Sequence, residues 1–205
     1  MMRMNDSESN GGRVSKRIYL AHGDCKTRSL LKVMLQTLGH RVGLDTDSGS
    51  VLMEFGLSDP PDMFISSKQL RDMDGIEALI RIGEEKPRAA VVVAGSADLD
   101  DIERAMKDHV MAYLIEPVTE EDLQPAIYLA QRQFHYLESL RTKVESLETR
   151  LHSRAIIERA KGIVMLRKKL NEMDAHKFLQ DTARDQRKKI VEIAETIVNA
   201  ESFLN

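Results

Sequence analysis

Five short apolar runs alternate with helical stretches between residues 17 and 116, and this alternation restricts the folds open to the chain. The runs lie at residues 18–21, 41–44, 63–65, 90–94 and 112–115. Each is too short for a helix and is rich in β-branched or bulky residues. Between them, residues 27–38, 49–56, 75–84 and 99–107 carry apolar side chains at helical spacing. Gly39-His40, Pro60-Pro61 and Pro87 supply turn signals. Alternation with five strands predicts an α/β domain, a parallel sheet with helices on both faces.

The character changes after Pro117. No glycine occurs from Thr119 until Gly162, and Pro125 is the one proline in that stretch. Leu137, Leu140, Val144, Leu147 and Leu151 follow a 3-4-3-4 spacing, the a/d seam of a heptad repeat. Glu138, Arg141, Lys143, Glu145, Glu148 and Arg150 flank the seam. It predicts a coiled coil joining two copies of the chain, a homodimer. A lone amphipathic helix packed on its own domain is the alternative, but the polar face is too charged for burial on both sides.

The last stretch reads as a small all-α bundle. Ile156, Ile157, Ala160, Ile163 and Val164 share one face. Asn171 is an expected N-cap for a helix carrying Ala175, Phe178, Leu179 and Ala183. Ile190, Ile193, Ala194, Ile197 and Val198 mark a third helix. Three short helices build little core alone, so they are expected to lean on the long helix before them. The organisation expected is a disordered tail at residues 1–15, the α/β domain at 16–125, a coiled-coil linker helix at 126–152 and a three-helix bundle at 153–205.

Composition excludes several classes. The 205 residues are 42% hydrophobic and 31% charged, which rules out a wholly disordered or collagen-like chain. Apolar runs such as residues 89–94 are far short of the ~20 residues that span a bilayer, so no membrane partner is expected. The start, MMRMNDSESNGGRVSKR, has no apolar signal core, and Cys25 stands alone; both point to a cytoplasmic location. Residues 153–205 hold 11 Lys+Arg against 8 Asp+Glu, so an end of charge +3 follows a body of −6. That asymmetry hints at an anionic partner. No HExxH or CxxC spacing occurs, and no nucleophile–base pair stands out. The sequence therefore predicts no metal, no cofactor and no enzymatic activity.

Pro61-Asp62-Met63-Phe64-Ile65, then Met73-Asp74-Gly75-Ile76-Glu77-Ala78-Leu79, and finally Tyr113-Leu114-Ile115-Glu116-Pro117, resemble the receiver domain of bacterial response regulators over residues 17–125. The resemblance implies a receiver-like, flavodoxin-like fold, with a cis proline at Pro117. Receivers phosphorylate an aspartate after the third strand, using an acidic pair for Mg²⁺, a lysine and a Ser/Thr. Here the acceptor position falls on Ser67 and the acidic pair on His22 and Gly23, leaving Asp24 as the nearby carboxylate. The lysine position holds Glu116, and the Ser/Thr position falls on Ala94 or Gly95, one step before Ser96. One carboxylate is poor support for Mg²⁺, a serine without a base is a weak nucleophile, and Glu116 repels phosphate. The phosphoacceptor site thus reads as degenerate. Modification of Ser67 by a separate kinase is the competing view, and His22 reads as a polar loop residue rather than a metal ligand.

Arg154-x-x-Ile157-Glu158-Arg159-Ala160-Lys161-Gly162-Ile163-Val164-Met165 resembles the opening of the ANTAR domain of AmiR- and NasR-type transcription antiterminators. Ala175, Phe178, Leu179, Thr182 and Ala183, the basic turn Arg187-Lys188-Lys189, and then Ile190 and Ala194 continue the match over residues 150–200. Lys169 stands where the family often has glycine, and Arg187 where it often has asparagine. The resemblance implies binding of RNA hairpin loops by basic side chains. Arg154, Lys161, Arg184, Arg187 and Lys188 are the candidate RNA contacts, placed on a polar helix face. Phe178 reads as core rather than as a stacking platform. Gly162 within a helix costs roughly 1 kcal/mol against alanine, and close helix packing is the expected reason.

These readings converge on a dimeric regulator that stabilises hairpins in a leader RNA against an overlapping terminator stem. With phosphorylation lost, the likeness to AmiR-type regulators implies control by a sequestering sensor protein. A DNA-binding response regulator and a scaffold without nucleic-acid binding are the alternatives; salt-dependent binding to RNA hairpins or duplex DNA separates them.

Overall fold

The structure is a computed structural model that describes residues 15–96, 99–106 and 110–202. The expected tail, except for Ser15, lies outside the described residues, as does Lys107 at the end of the fourth helical stretch. The chain divides into two compact units between Leu137 and Glu138.

In the first unit the elements run β1 (Arg17–Ala21), α1 (Cys25–Thr37), β2 (Arg41–Thr46), α2 (Gly49–Ser58), β3 (Met63–Ser67), α3 (Gly75–Glu85), β4 (Ala89–Ala94), α4 (Leu99–Met106) and β5 (Val110–Ile115). The strands pair in parallel in the order β2-β1-β3-β4-β5. Strand periodicity sorts the core onto both faces of the sheet. Ile18, Leu20, Met63, Ile65, Val91 and Val93 point to one side with Leu31 and Leu35 of α1. Tyr19, Phe64, Ala90 and Val92 point to the other, with Leu52 of α2 and Ile76, Leu79 and Ile82 of α3. Each large apolar side chain buried this way contributes roughly 1.5–3 kcal/mol. Polar caps set the helix starts: Asp24 accepts from the Thr27 N–H, Ser48 from Val51, and Asp74 from Ile76 and Glu77.

The long helix α5 runs Glu120–Lys168. Thr119 and Asp122 cap its start reciprocally, and the Thr119 hydroxyl holds the Asp122 carboxyl below its ordinary range. The expected boundaries at 125/126 and 152/153 both fall inside this helix, because no glycine or proline breaks it between them. Leu123, Ile127, Ala130 and Phe134 join the α1 side of the sheet core.

In the second unit α5 is followed by α6 (Glu172–Asp185) and α7 (Ile190–Ser202). Asn171 caps α6 by accepting from the Asp174 N–H at 2.8 Å. Ala160, Val164, Ala175, Leu179, Ala183, Ile193 and Ala194 form the core, and its alanines let the helix backbones come close. Lys169 and Arg187 follow the ends of α5 and α6 with φ of 55° and 53°. At Arg187 the turn is a Schellman motif: the Lys188 N–H bonds the Ala183 carbonyl and the Arg187 N–H that of Arg184. The two departures from the ANTAR pattern thus sit where the backbone is left-handed.

Gly162 corrects an expectation. A β-carbon added there meets nothing within 4 Å, so packing within the chain does not call for a glycine. Glycine stands where this helix needs none, and side chains occupy a left-handed turn that favours glycine. Gly162→Ala is therefore expected to stabilise the second unit by about 1 kcal/mol, and Lys169→Gly by about 1 kcal/mol through relief of the left-handed turn. Urea unfolding followed by circular dichroism reads both.

Candidate functional site

The residues read above as a degenerate phosphoacceptor site converge at the C-terminal edge of the sheet, as the strand order requires. His22 follows β1, Ser67 ends β3 and Glu116 follows β5, next to the cis Glu116–Pro117 bond. The Ser67 hydroxyl donates to the Gln69 carbonyl at 2.7 Å and accepts the Gly23 N–H at 3.2 Å, and the residue is buried. Asp24 is committed to capping α1, and the bond from the Thr27 N–H holds its carboxyl low.

His22 is buried and bonded at both ring nitrogens. Its Nδ1 accepts the Asp24 N–H at 3.1 Å, which leaves the proton of a neutral ring on Nε2. Nε2 lies 2.9 Å from Glu116 Oε1, so His22 donates to that carboxylate. A His–Glu bond spans the gap where receivers set an acidic pair opposite a lysine. This corrects the reading of His22 as an ordinary polar loop residue: it is a buried tie between β1 and β5.

The β3–α3 connection covers this edge. Its Arg71 N–H bonds the Asp47 carbonyl, and Asp72 accepts from the Ser48 hydroxyl and from the Gly49 and Ser50 N–H groups at the start of α2. The Ser48 bond, then that of Ser50, drives the Asp72 carboxyl far below the usual range. Lys68 pairs with Asp101, and Arg104 with Asp74 at 2.7 Å, tying α4 to the same connection. Nothing in the sequence pointed to Asp72, Asp101 or Arg104, because their partners are 22 to 33 residues away.

The candidate RNA contacts divide. Arg154, Arg184, Arg187 and Lys188 are exposed; Arg184 stands 3.6 Å from Asp181. Lys161 is buried instead, a correction to its placement on a polar face. Its ammonium lies 2.8 Å from both Glu158 and Glu172, and these two carboxylates raise its pKa. Glu158 is one turn away on α5 and was visible in the sequence; Glu172 comes near only because α6 folds back. Phe178 is half-buried against the core, with the Lys168 ammonium 4.5 Å above its ring centre. The seam residues Leu137, Leu140, Val144, Leu147 and Leu151 are exposed to between 37% and 69%.

Comparison with known proteins matches residues 18–128 to the response regulator receiver domain and residues 145–198 to the ANTAR domain. Transcriptional regulatory protein PdtaR of Mycobacterium tuberculosis is 31% identical over 185 residues, covering 90% of each chain. This chain belongs to the ANTAR response regulators. The aliphatic amidase regulator of Pseudomonas aeruginosa is 26% identical over 140 residues, 68% of this chain and 70% of that one. Among solved structures, a CheY-like receiver from Methanospirillum hungatei JF-1 matches with a TM-score of 0.55 at 21% identity, covering 60% of this chain and 98% of that one. The receiver of a modulated diguanylate cyclase from Desulfovibrio desulfuricans G20 gives 0.54 at 22%, with the same coverage. These two show the fold of the first unit.

Within this ANTAR regulator, the acidic residue of a working receiver does not fit at position 23. A β-carbon on Gly23 would lie 2.6 Å from the Gln69 carbonyl oxygen. Gly23→Asp is expected to lower the thermal midpoint by several degrees rather than restore an Mg²⁺ site. Differential scanning calorimetry with and without Mg²⁺ checks this: a midpoint at or above the parent's, raised by the metal, would refute it.

Proposed function

We propose that this ANTAR regulator is an RNA-binding transcription antiterminator. A homodimer presents two C-terminal helical units, each holding a hairpin of a leader RNA, and so keeps an overlapping terminator stem from forming. The observation that carries the reading is the exposed basic cluster at the end of α6, Arg184 in its last turn and Arg187, Lys188 and Lys189 in the turn that follows, inside the stretch that matches the ANTAR domain. Arg187 and Lys188 reach phosphates there without giving up an ion pair among the described residues, and Arg184 gives up only an exposed one with Asp181. Arg154 adds a further exposed charge. Lys161 does not belong to this set, because its charge holds α5 to the start of α6.

Dimerisation runs through the exposed leucine seam, where each side chain buried in a second copy contributes roughly 1.5–3 kcal/mol. Control acts through a sensor protein that sequesters the regulator, not through aspartate phosphorylation. The engaged Ser67 hydroxyl and the His22–Glu116 bond support this, since neither leaves a free acceptor or a cation for a phosphoryl group.

Four outcomes are expected. Incubation with labelled acetyl phosphate and Mg²⁺ leaves no acid-labile phosphate on the protein; stable incorporation would sink the reading of the site. Leu140→Asp with Leu147→Asp converts the dimer to monomers by light scattering, and an unchanged dimer would place the interface elsewhere. The parent binds stem-loop RNA in preference to duplex DNA, and RNA with two hairpins better than RNA with one, because the second contact is intramolecular. Arg184→Ala with Lys188→Ala weakens binding and lowers the salt slope by up to about two, as lost phosphate contacts do. A preference for duplex DNA would favour the DNA-binding alternative, and no nucleic-acid binding would favour a scaffold.

A further inference from the structure

One face of the second unit carries a cleft that the basic turn does not use. It has a volume of about 410 Å³, within the range of small-ligand sites. Ile163 and Val164 of α5, Phe178 of α6 and Ile197 of α7 make its wall. Arg167 and Lys168 stand on its rim. They differ in charge balance. Glu201, also at the cleft, holds Arg167 through two bonds of 3.1 and 2.8 Å. Lys168 has no carboxylate partner among the described residues; its ammonium rests on the Phe178 ring face, 4.5 Å from the centre.

We propose that this cleft receives one unstacked nucleobase of a hairpin loop, with Lys168 holding the adjoining phosphate. The inference rests on the RNA-binding reading and names a site within it. Its chemistry follows from the wall and the rim. An apolar wall edged by an aromatic ring suits the flat faces of a base, which lose little by leaving water, while the polar base edge stays toward the open mouth. The uncompensated cation at that mouth calls for an anion on the same ligand. A nucleotide supplies both groups a few ångströms apart, whereas an aliphatic protein side chain would leave Lys168 unpaired. Lys168 then exchanges its contact with the Phe178 ring for a charge-assisted bond to phosphate and closes over the base. Phe178, expected as core alone, serves as core on one side and as cleft wall on the other.

The test uses the full chain and a pool of stem-loop RNAs with randomised loops. The tightest stem-loop selected by the parent is remade with 2-aminopurine, and separately with an abasic site, at each loop position. One position is expected to brighten on binding as the base leaves the stack, and the abasic site there to cost at least about fivefold in affinity. Phe178→Leu and Lys168→Gln are each expected to lose at least about fivefold on the intact loop; on the abasic one Phe178→Leu loses little further, whereas Lys168→Gln still weakens binding, because the phosphate remains. Lys168→Gln also lowers the salt slope by about one. Lys168 is exposed, so its variant stays informative should Phe178→Leu unfold, which circular dichroism reports. If the parent binds the stem-loop and both folded variants match it, or no abasic site costs affinity, the cleft assignment is overturned while the RNA-binding reading stands. If selection yields no stem-loop that the parent prefers to duplex DNA, both fall together.

Discussion

The close backbone packing at the C-terminal end of β3 sets what the first unit can do. Gly75 approaches the Ser67 carbonyl so tightly that no β-carbon fits between them, and Gly23 lies against the Gln69 carbonyl in the same way. These two contacts bring the β3–α3 connection down over the sheet edge. Ser67 then finds its partners within that packing, and Asp72 reaches the start of α2. The Lys68–Asp101 and Arg104–Asp74 pairs follow from the same placement. The edge where a receiver does its chemistry is filled by the chain's own hydrogen bonds. Opening it would leave several polar groups without partners, which is costly.

The His22–Glu116 bond belongs to this arrangement and shows how a site changes its use. The positions are those of a receiver, at the ends of β1 and β5, but the types are exchanged: a carboxylate sits where the lysine would be, and an imidazole where the acids would be. Complementarity across the gap survives with the donor and acceptor sides reversed. An Nε2–H donating to a carboxylate needs no metal to hold the strand ends together, whereas paired carboxylates repel until a cation bridges them. A His–Glu hydrogen bond links these two strand ends.

The second unit is built on economy of side chain. Alanines at 160, 175, 183 and 194 let the helices approach, and the Lys161 ammonium between Glu158 and Glu172 fixes where α6 starts against α5. With these groups turned inward, the exposed basic turn and the Phe178 cleft carry the exposed chemistry. Left-handed turns at Lys169 and Arg187 place charge where glycine or asparagine would be easier for the backbone. That is a local cost borne where the side chains project into solvent.

Period and punctuation alone determined much of this protein. Alternating runs specified five parallel strands, with the central β1, β3 and β4 buried almost throughout and the edge strand β2 largely exposed, and the heptad spacing marked the exposed leucines of α5. Asn171 was legible as a cap because a cap bonds within three residues. Family motifs located the receiver and ANTAR segments. Only tertiary structure decided the rest, wherever the partner is distant in sequence. The sequence shows Glu158 one turn from Lys161 but not the burial that follows when α6 brings Glu172 to it, 11 residues on. His22 and Glu116 are 94 residues apart, and their bond exists because β1 and β5 end at the same edge of the sheet. Gly162 looked like a packing glycine until the space beside it proved open. Local pattern fixes which elements form, because the forces behind it act within a turn or a pleat. The environment of a single charge is set by what the folded chain places beside it.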